Sequence, residues 1–414
     1  MKKCIVIGGG IIGLSTAYFL QKQGHEVTVL DASDKEEGAS YVNAGYITPS
    51  HFIPLAAPGM ISKGLKYMFD SSSPFYMKPR LDLGFLEWSF RFFKASTKKH
   101  LHASMAPIYQ MNTLSRNLYS RILEETGIVS QFDAKGLMMY FQTEEAKTHE
   151  VKLAEQANRL FGIDTGVYDK NQIQDKFEPH IEMNILGGVH YPCDRQMTPG
   201  EFMREFKTYL KTVGVNLEYK ISVEDFEVKG GKVVKLYTNH GSYQADEFVL
   251  CTGAWTPKLA KKLNIKLLIE AGKGYRLDVF ENTGINMSAI LVERNMAVSP
   301  MDGFTRLAGT MEIAGMNSQI RKERVTAIKN GAEAFYKELK VPSYAAEKAA
   351  YGMRPVSFDG LPFIGKAEQL NNLTIASGHA MMGWSLGPVT GKLVQELIDD
   401  HPKSMNIDAF RVNR

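Results

Sequence analysis

A short apolar run, Cys4-Ile5-Val6-Ile7, leads directly into Gly8-x-Gly10-x-x-Gly13 and an apolar stretch, uncharged as far as Leu20, that ends near Gly24. That order predicts a buried parallel strand, a tight turn and a helix. Gly8 permits the turn, Gly10 lets a pyrophosphate approach the backbone, and Gly13 lets the helix touch the strand. Unpaired amides and the positive end of the helix dipole then face the phosphates. A second strand over 26–30 delivers Asp31 at its carboxyl end, 18 residues after Gly13, where a ribose hydroxyl needs an acceptor. A glycine triplet alone is weak evidence. With the strand before it, the helix behind it and the terminal carboxylate, it predicts a dinucleotide site. NAD and FAD share the same ADP half, so the fingerprint leaves that choice open. A leader or anchor reading of the stretch is disfavoured, because four glycines interrupt it and no small-x-small cleavage pattern follows.

At 414 residues the chain exceeds one ordinary core of ~100–200 residues. Its 44% hydrophobic and 23% charged residues exclude disorder, collagen and coiled coil as overall descriptions. A net charge of +4, spread along the chain, excludes the basic footprint of a nucleic-acid binder. Cys4, Cys193 and Cys251 are too dispersed for a metal knuckle and odd in number for a disulfide scaffold, which points to a reducing, cytoplasmic setting. Small residues at 38–45 allow close approach to a flat ligand, and 70–80 read as surface loop. Helices are expected over 85–99, 109–125 and 144–161, with strands at 136–141 and 167–168. Thr198-Pro199-Gly200-Glu201 reads as a capping box whose helix closes at Gly214. Strands follow at 216–228, 232–238 and 243–251, antiparallel segments over 273–309, and a helix over 318–340. A last strand at 373–378 and a helix over 388–399 close the chain. The expectation is an α/β protein of two discontinuous domains: nucleotide-binding over 1–75, 190–262 and 345–414, and substrate-binding over 76–189 and 263–344.

Six motifs in order, IVIGGGIIGLSTAYFL with Asp31, NAGYITPS with AAPG at 56–59, CTGAW at 251–255, KGY at 273–275, GMRPVSFDGLPFIG at 352–365 and GHAMMGWSLGPVTGKLV at 378–394, span nearly the whole chain. Together they resemble the FAD-dependent D-amino acid oxidase and dehydrogenase superfamily, most nearly its bacterial D-amino acid dehydrogenase small-subunit type. The resemblance implies non-covalent FAD in a glutathione-reductase-like Rossmann domain, beside a second α+β substrate domain built on an antiparallel sheet. It implies that Gly8, Gly10, Ile11, Ile12 and Gly13 hold the pyrophosphate, and Asp31, Ala32 and Ser33 the adenosine ribose. Ser40, Asn43, Ala44 and Gly45 would approach the pyrophosphate and the isoalloxazine, Val223 the adenine, and Thr252 and Gly253 the phosphate side. Gly378, His379, Met381, Met382, Gly383 and Trp384 would line the flavin ring. Ala297 stands about where some glycine-oxidase-like relatives place a carboxylate-binding tyrosine, so their substrate preference does not transfer.

The implied chemistry removes a hydride from Cα and leaves an imine, which calls for orientation more than for a strong base. A substrate carboxylate needs an anchor, and Arg354 is the best candidate because a planar guanidinium grips a carboxylate bidentately. The alternative is a structural Arg354 paired with Asp359. Tyr275 can share the carboxylate or sit in a core. His51, with Tyr46, reaches the substrate side or merely belongs to a loop. His379 reads better as structural than as a base, and the helix start at Gly387-Pro388 aims its dipole at the flavin. The aromatic-basic stretch 85–94, followed by Lys98 and Lys99, either packs into a core or makes a peripheral contact with the inner face of a membrane, where a quinone takes the electrons. Alternatives within reach are a glycine, sarcosine or proline-type oxidase releasing peroxide, a non-catalytic flavin-binding subunit of a hetero-oligomer, and an NAD enzyme.

Overall fold

The computed structural model describes residues 1–59 and 75–414, so the part of the expected loop at 70–74 lies outside the described residues. One sheet carries the strand order Asn216–Tyr219, Glu26–Asp31, Lys3–Ile7, Glu247–Leu250, Leu370–Ser377, Phe363–Ala367, parallel except for the last pair. Alternation sorts its side chains. Cys4, Val6, Val27, Val29 and Val249 meet the helices Ile11–Lys22, Pro199–Thr212 and Gly387–Ile398. Ile5, Ile7, Leu30, Phe248 and Leu250 meet Val233 and Leu236 of an antiparallel three-strand layer, Val223–Lys229, Lys232–Thr238 and Gly241–Tyr243. Both faces are covered, and that is why these strands read as unbroken apolar runs. The first and last helices touch through glycine: a Cβ on Gly391 would lie 2.4 Å from the Ser15 carbonyl carbon.

The second sheet is mixed rather than antiparallel throughout. Its order is Ala350–Ser357, Ile269–Val279, Phe304–Ile313, Met296–Met301, Ala289–Leu291, Leu137–Phe141, Gly187–Tyr191, Gly166–Asp169. Phe75–Met77 pairs with Phe304–Ile313, and this pairing and that of Ala289–Leu291 with Leu137–Phe141 run parallel. Helix Lys322–Phe335 covers one face, through Val325, Ile328, Ala332 and Phe335.

Several expectations need correcting. Ala350–Ser357 belongs to the mixed sheet, beyond the boundary expected at 345. Residues 98–126 form one helix through Pro107, and its Ile108, Met111, Leu118 and Tyr119 join the core of the nucleotide sheet, not of the substrate half. The strand expected over 216–228 breaks at 220–222 into two strands that join different layers. Thr198 makes no cap: its hydroxyl donates to Gln131 Oε1 at 2.7 Å, while Glu201 accepts from Ser130 Oγ and Gln131 N–H. In helix Leu83–Ala95 both readings of the aromatic stripe find a face. Phe85, Trp88 and Phe92 are buried, whereas Leu83, Leu86, Phe90 and Phe93 face outward.

Candidate active site

Topology gathers the glycine turns. Gly8, Thr252 and Gly378 follow the carboxyl ends of three adjacent parallel strands, and Asp31 ends a fourth. Gly8 has φ +109°, and a Cβ there would lie 2.6 Å from Cys251 O; at Gly13 it would lie 1.8 Å from Gly8 O. These contacts enforce glycine. A Cβ on Gly10 would meet Ser40 Oγ at 3.0 Å, so the cradle above the first helix has no room for side chains. Ser40 Oγ accepts from Ile11 N–H at 3.0 Å at the helix start. Asp31 accepts from Gly9 N–H at 2.6 Å and from Ser33 N–H at 2.9 Å, and thereby also shapes the turn around itself and Ala32. Ile221 N–H donates to Asp31 O, which brings Val223 to the same end of the strand. Ser377 Oγ donates to Gly253 O at 3.0 Å, tying two of the expected segments together.

The loop that follows Ser40 is fastened from both ends. Asn43 Nδ2 donates to the carbonyls of Ala39 and Ser40, and its Oδ1 accepts from Gly45 N–H at 2.7 Å. Gly45, at φ +77°, lies so close to Met197 O that a Cβ would come within 2.0 Å. From the mixed sheet, Ser299 Oγ donates to Ala44 O and Arg306 to the carbonyls of Tyr41 and Asn43; Tyr46 OH donates to Val298 O. Arg306 was not among the expected site residues. Its one local signal was a charge inside an apolar strand, Phe304-Thr305-Arg306-Leu307-Ala308.

The stretch expected to line the ring is also anchored. His379 is buried beside Thr390: the Thr390 hydroxyl donates to Leu386 O, so it accepts from His379 Nε2–H at 3.0 Å. Burial lowers the His379 pKa to about 3, which makes it a poor base near neutral pH. Trp384 packs among Tyr119 and Phe202, its carbonyl accepting from Tyr119 OH at 2.6 Å. Met382 packs against the same core, and Met381 is the exposed member of the stretch. Gly383 sits with its Cα face toward His379 Cβ.

Arg354 and Tyr275 are sorted by strand register. Arg354 pairs with Gly272 and Tyr275 with Tyr351 in an unbroken antiparallel ladder, so the two side chains leave opposite faces of the mixed sheet. The Arg354 guanidinium lies across Gly274, where a Cβ would come within 2.3 Å of Cζ. Its face is the one on which Gly352 meets the backbone of Ala39. Among the described residues it has no carboxylate partner, only Nη1 donating to Thr310 O at 2.8 Å, and burial pulls its pKa down to about 10. The alternative partner is taken: Asp359 is held bidentately by Arg414 at 2.6 and 2.9 Å. Tyr275 instead donates to buried Glu312 at 2.6 Å on the helix-covered face, so the expected sharing of one carboxylate with Arg354 does not arise. His51 lines a cavity of about 190 Å³ with Ser50, Phe52, Met139, Glu150 and Tyr191. Ser50 Oγ donates to Asp194 at 2.5 Å and therefore accepts from His51 Nδ1–H; burial holds His51 neutral, with a pKa of about 4. The arrangement fits FAD: a side-chain-free cradle at a helix start, a loop fixed against the second sheet, and on the face that meets it the Arg354 guanidinium, without a carboxylate partner among the described residues.

A family model described as FAD dependent oxidoreductase matches residues 3–397. Over 411 residues the chain is 30% identical to a D-amino acid dehydrogenase of Helicobacter pylori, covering 98% of this chain and 97% of the relative. Glycine oxidase from Geobacillus kaustophilus superposes with a TM-score of 0.79 at 20% identity, covering 100% of this chain and 98% of that one. L-Proline dehydrogenase from P. horikoshii gives 0.75 at 18%, with 100% and 97% covered. At those identities the two structures establish a shared fold.

Proposed function

The chain belongs to the FAD dependent oxidoreductase family and acts on amino acids, and we propose that its substrate is a D-amino acid or a related imino acid. The observation that carries this reading is Arg354, a half-buried cation with no acidic partner among the described residues, on the sheet face turned to the loop at 38–45. A half-buried guanidinium without a counter-charge is only partly hydrated, and a substrate carboxylate would supply the missing partner in bidentate form. Held there, the substrate has its Cα fixed. The C–H bond breaks with both electrons leaving as hydride, the nitrogen lone pair closes the C=N bond, and the amine loses a proton. Bound FAD supplies the two-electron acceptor. Water then adds to the imine, giving a 2-oxo acid and ammonia from a primary amino acid, or a 2-oxo acid and the corresponding amine where the nitrogen carries a second carbon. His379 and His51 are both neutral near pH 7, in keeping with a site that orients rather than one that pulls a proton.

The electrons pass to a carrier, and a membrane quinone is the acceptor the outer face of helix Leu83–Ala95 supports. Phe90 and Phe93 are 56% and 60% exposed there, and Lys94 sits over the Phe90 ring at 4.6 Å. No described helix is long and apolar enough to cross a membrane. The decisive experiment mixes holoenzyme anaerobically with a panel of D- and L-amino acids, then admits oxygen and floats the protein with anionic lipid vesicles. Flavin bleaching by D-amino acids, little peroxide per turnover and co-flotation are expected. Stoichiometric peroxide identifies an oxidase instead, protein that stays at the bottom removes the membrane contact, and no bleaching by any amino acid ends the reading.

A further inference from the structure

Arg306 does more than fasten a loop. It is 4% exposed, and every guanidinium nitrogen is used. Nη1 donates to the carbonyls of Tyr41 and Asn43 at 2.8 and 2.9 Å, while Nε and Nη2 donate to the two oxygens of Asp278 at 2.9 and 3.1 Å. In a trans peptide the C=O and N–H point opposite ways. With Asn43 O drawn onto Arg306, the Ala44 N–H points away from the mixed sheet. Among the described residues that N–H has no acceptor, although its neighbour Gly45 N–H has one in Asn43 Oδ1. Ala44 is half-buried, so this donor stands beside firmly bonded neighbours and is available to an acceptor from outside the chain.

The charge around this peptide is not balanced. Arg276 also reaches Asp278, so two guanidiniums face one carboxylate and the cluster keeps a net positive charge. Positive charge at the carbonyl end polarises the Asn43–Ala44 peptide and strengthens its N–H as a donor. We propose that Arg306 is a positioning residue for the cofactor: it presents the Ala44 N–H to the flavin ring and, through that one peptide, makes bound FAD easier to reduce. Reduction adds negative charge to the ring, and a fixed, charge-backed donor favours the form that carries it. This rests on FAD being the cofactor and is indifferent to which amino acid is oxidised.

The test compares holoenzyme carrying Arg306→Met, Arg306→Lys or Arg276→Met by FAD dissociation constant and by midpoint potential in a dye-coupled titration. Arg306→Met is expected to weaken FAD binding about tenfold, the scale of a lost charged hydrogen bond, and to move the potential to more negative values. Arg306→Lys keeps the charge and restores most of the potential, though less of the affinity. Arg276→Met touches no loop carbonyl, so affinity should hold while the potential moves the same way by less. If Arg306→Met binds FAD with an unmoved potential, Arg306 is a structural staple and the proposal falls. Should Arg306→Met fail to retain FAD, Arg276→Met decides: a negative shift upholds the proposal and an unchanged potential overturns it. Failure of amino acids to bleach the flavin would touch only the substrate reading.

Discussion

Behind the helix-covered face of the mixed sheet the cations share a built-in carboxylate, whereas the loop-facing side holds, among the described residues, both a paired cation, Arg306 on Asp278, and one without a carboxylate, Arg354. Behind helix Lys322–Phe335, Glu312 sits within 4.0 Å of Lys273, 3.4 Å of Arg324 and 3.3 Å of Arg321, and Tyr275 donates to it as well. On the face turned to the nucleotide sheet, Arg354 lies over Gly274 with a single carbonyl for company. Both faces lie within the same few strands, so the sheet itself does not decide which cation is paired. What differs is use. A cation whose counter-charge is built in belongs to the architecture, and one left without a counter-charge at a surface facing a cofactor cradle is waiting for an anion.

The largest expected effect breaks the comparison at Arg354. In Arg354→Met the substrate carboxylate loses its partner, and kcat/KM for the best amino acid should fall about a hundredfold to a thousandfold, as expected for removing one half of a buried charge-assisted pair. The ligand-free protein should melt no lower than the parent, because the lost charge had no partner to abandon. Steady-state kinetics beside thermal unfolding check both halves. A loss of stability with kcat/KM within threefold of the parent would make Arg354 one more structural cation and erase the difference between the faces.

Glu312→Gln attacks the other face. It leaves Lys273, Arg321 and Arg324 without their carboxylate in a region where Lys273 and Glu312 are both 1% exposed. Stripping one partner from such a cluster costs about 3–5 kcal/mol, so the denaturant midpoint should drop clearly. The KM of the protein that remains folded should stay near that of the parent. A raised KM with an unchanged midpoint would move the substrate site to this face and favour the carboxylate-sharing alternative for Tyr275.

The cofactor cradle was legible because its instructions are local: strand, glycine turn and helix occupy consecutive residues, and 1.8 Å between a Gly13 Cβ and Gly8 O leaves no alternative residue. Arg354 stood out through its motif, but its lack of a carboxylate did not, since that depends on Asp359 being taken by Arg414, 55 residues further on. Tyr275 was left between a carboxylate contact and a core position because its face is set by pairing with strand Ala350–Ser357, which no local pattern announces. Arg306 was missed for the same reason: the carbonyls it holds lie 265 and 263 residues away. The Thr198 cap failed because the hydroxyl accepts from a distant Asp302 N–H, at 3.1 Å, instead of from its own helix.

The smallest effect sharpens the comparison through pH. Burial disfavours the charged form of Arg354 and lowers its pKa from 12.5 to about 10, with no carboxylate to raise it again. The guanidinium is therefore cationic throughout the neutral range and begins to lose its proton near pH 10. An anion binds only the cationic form. Propionate, which has a carboxylate and no amine to titrate, should perturb the flavin spectrum with constant affinity from about pH 7 to 9. Above about pH 10 its affinity should decline, approaching tenfold per pH unit. Binding must in turn raise the pKa of Arg354, so propionate should protect the site to higher pH as its concentration increases. An amino acid substrate cannot report this cleanly, because its own amine titrates in the same range. In Arg354→Met the alkaline limb should vanish along with most of the affinity, and a limb that survives the substitution would assign the titration to another group.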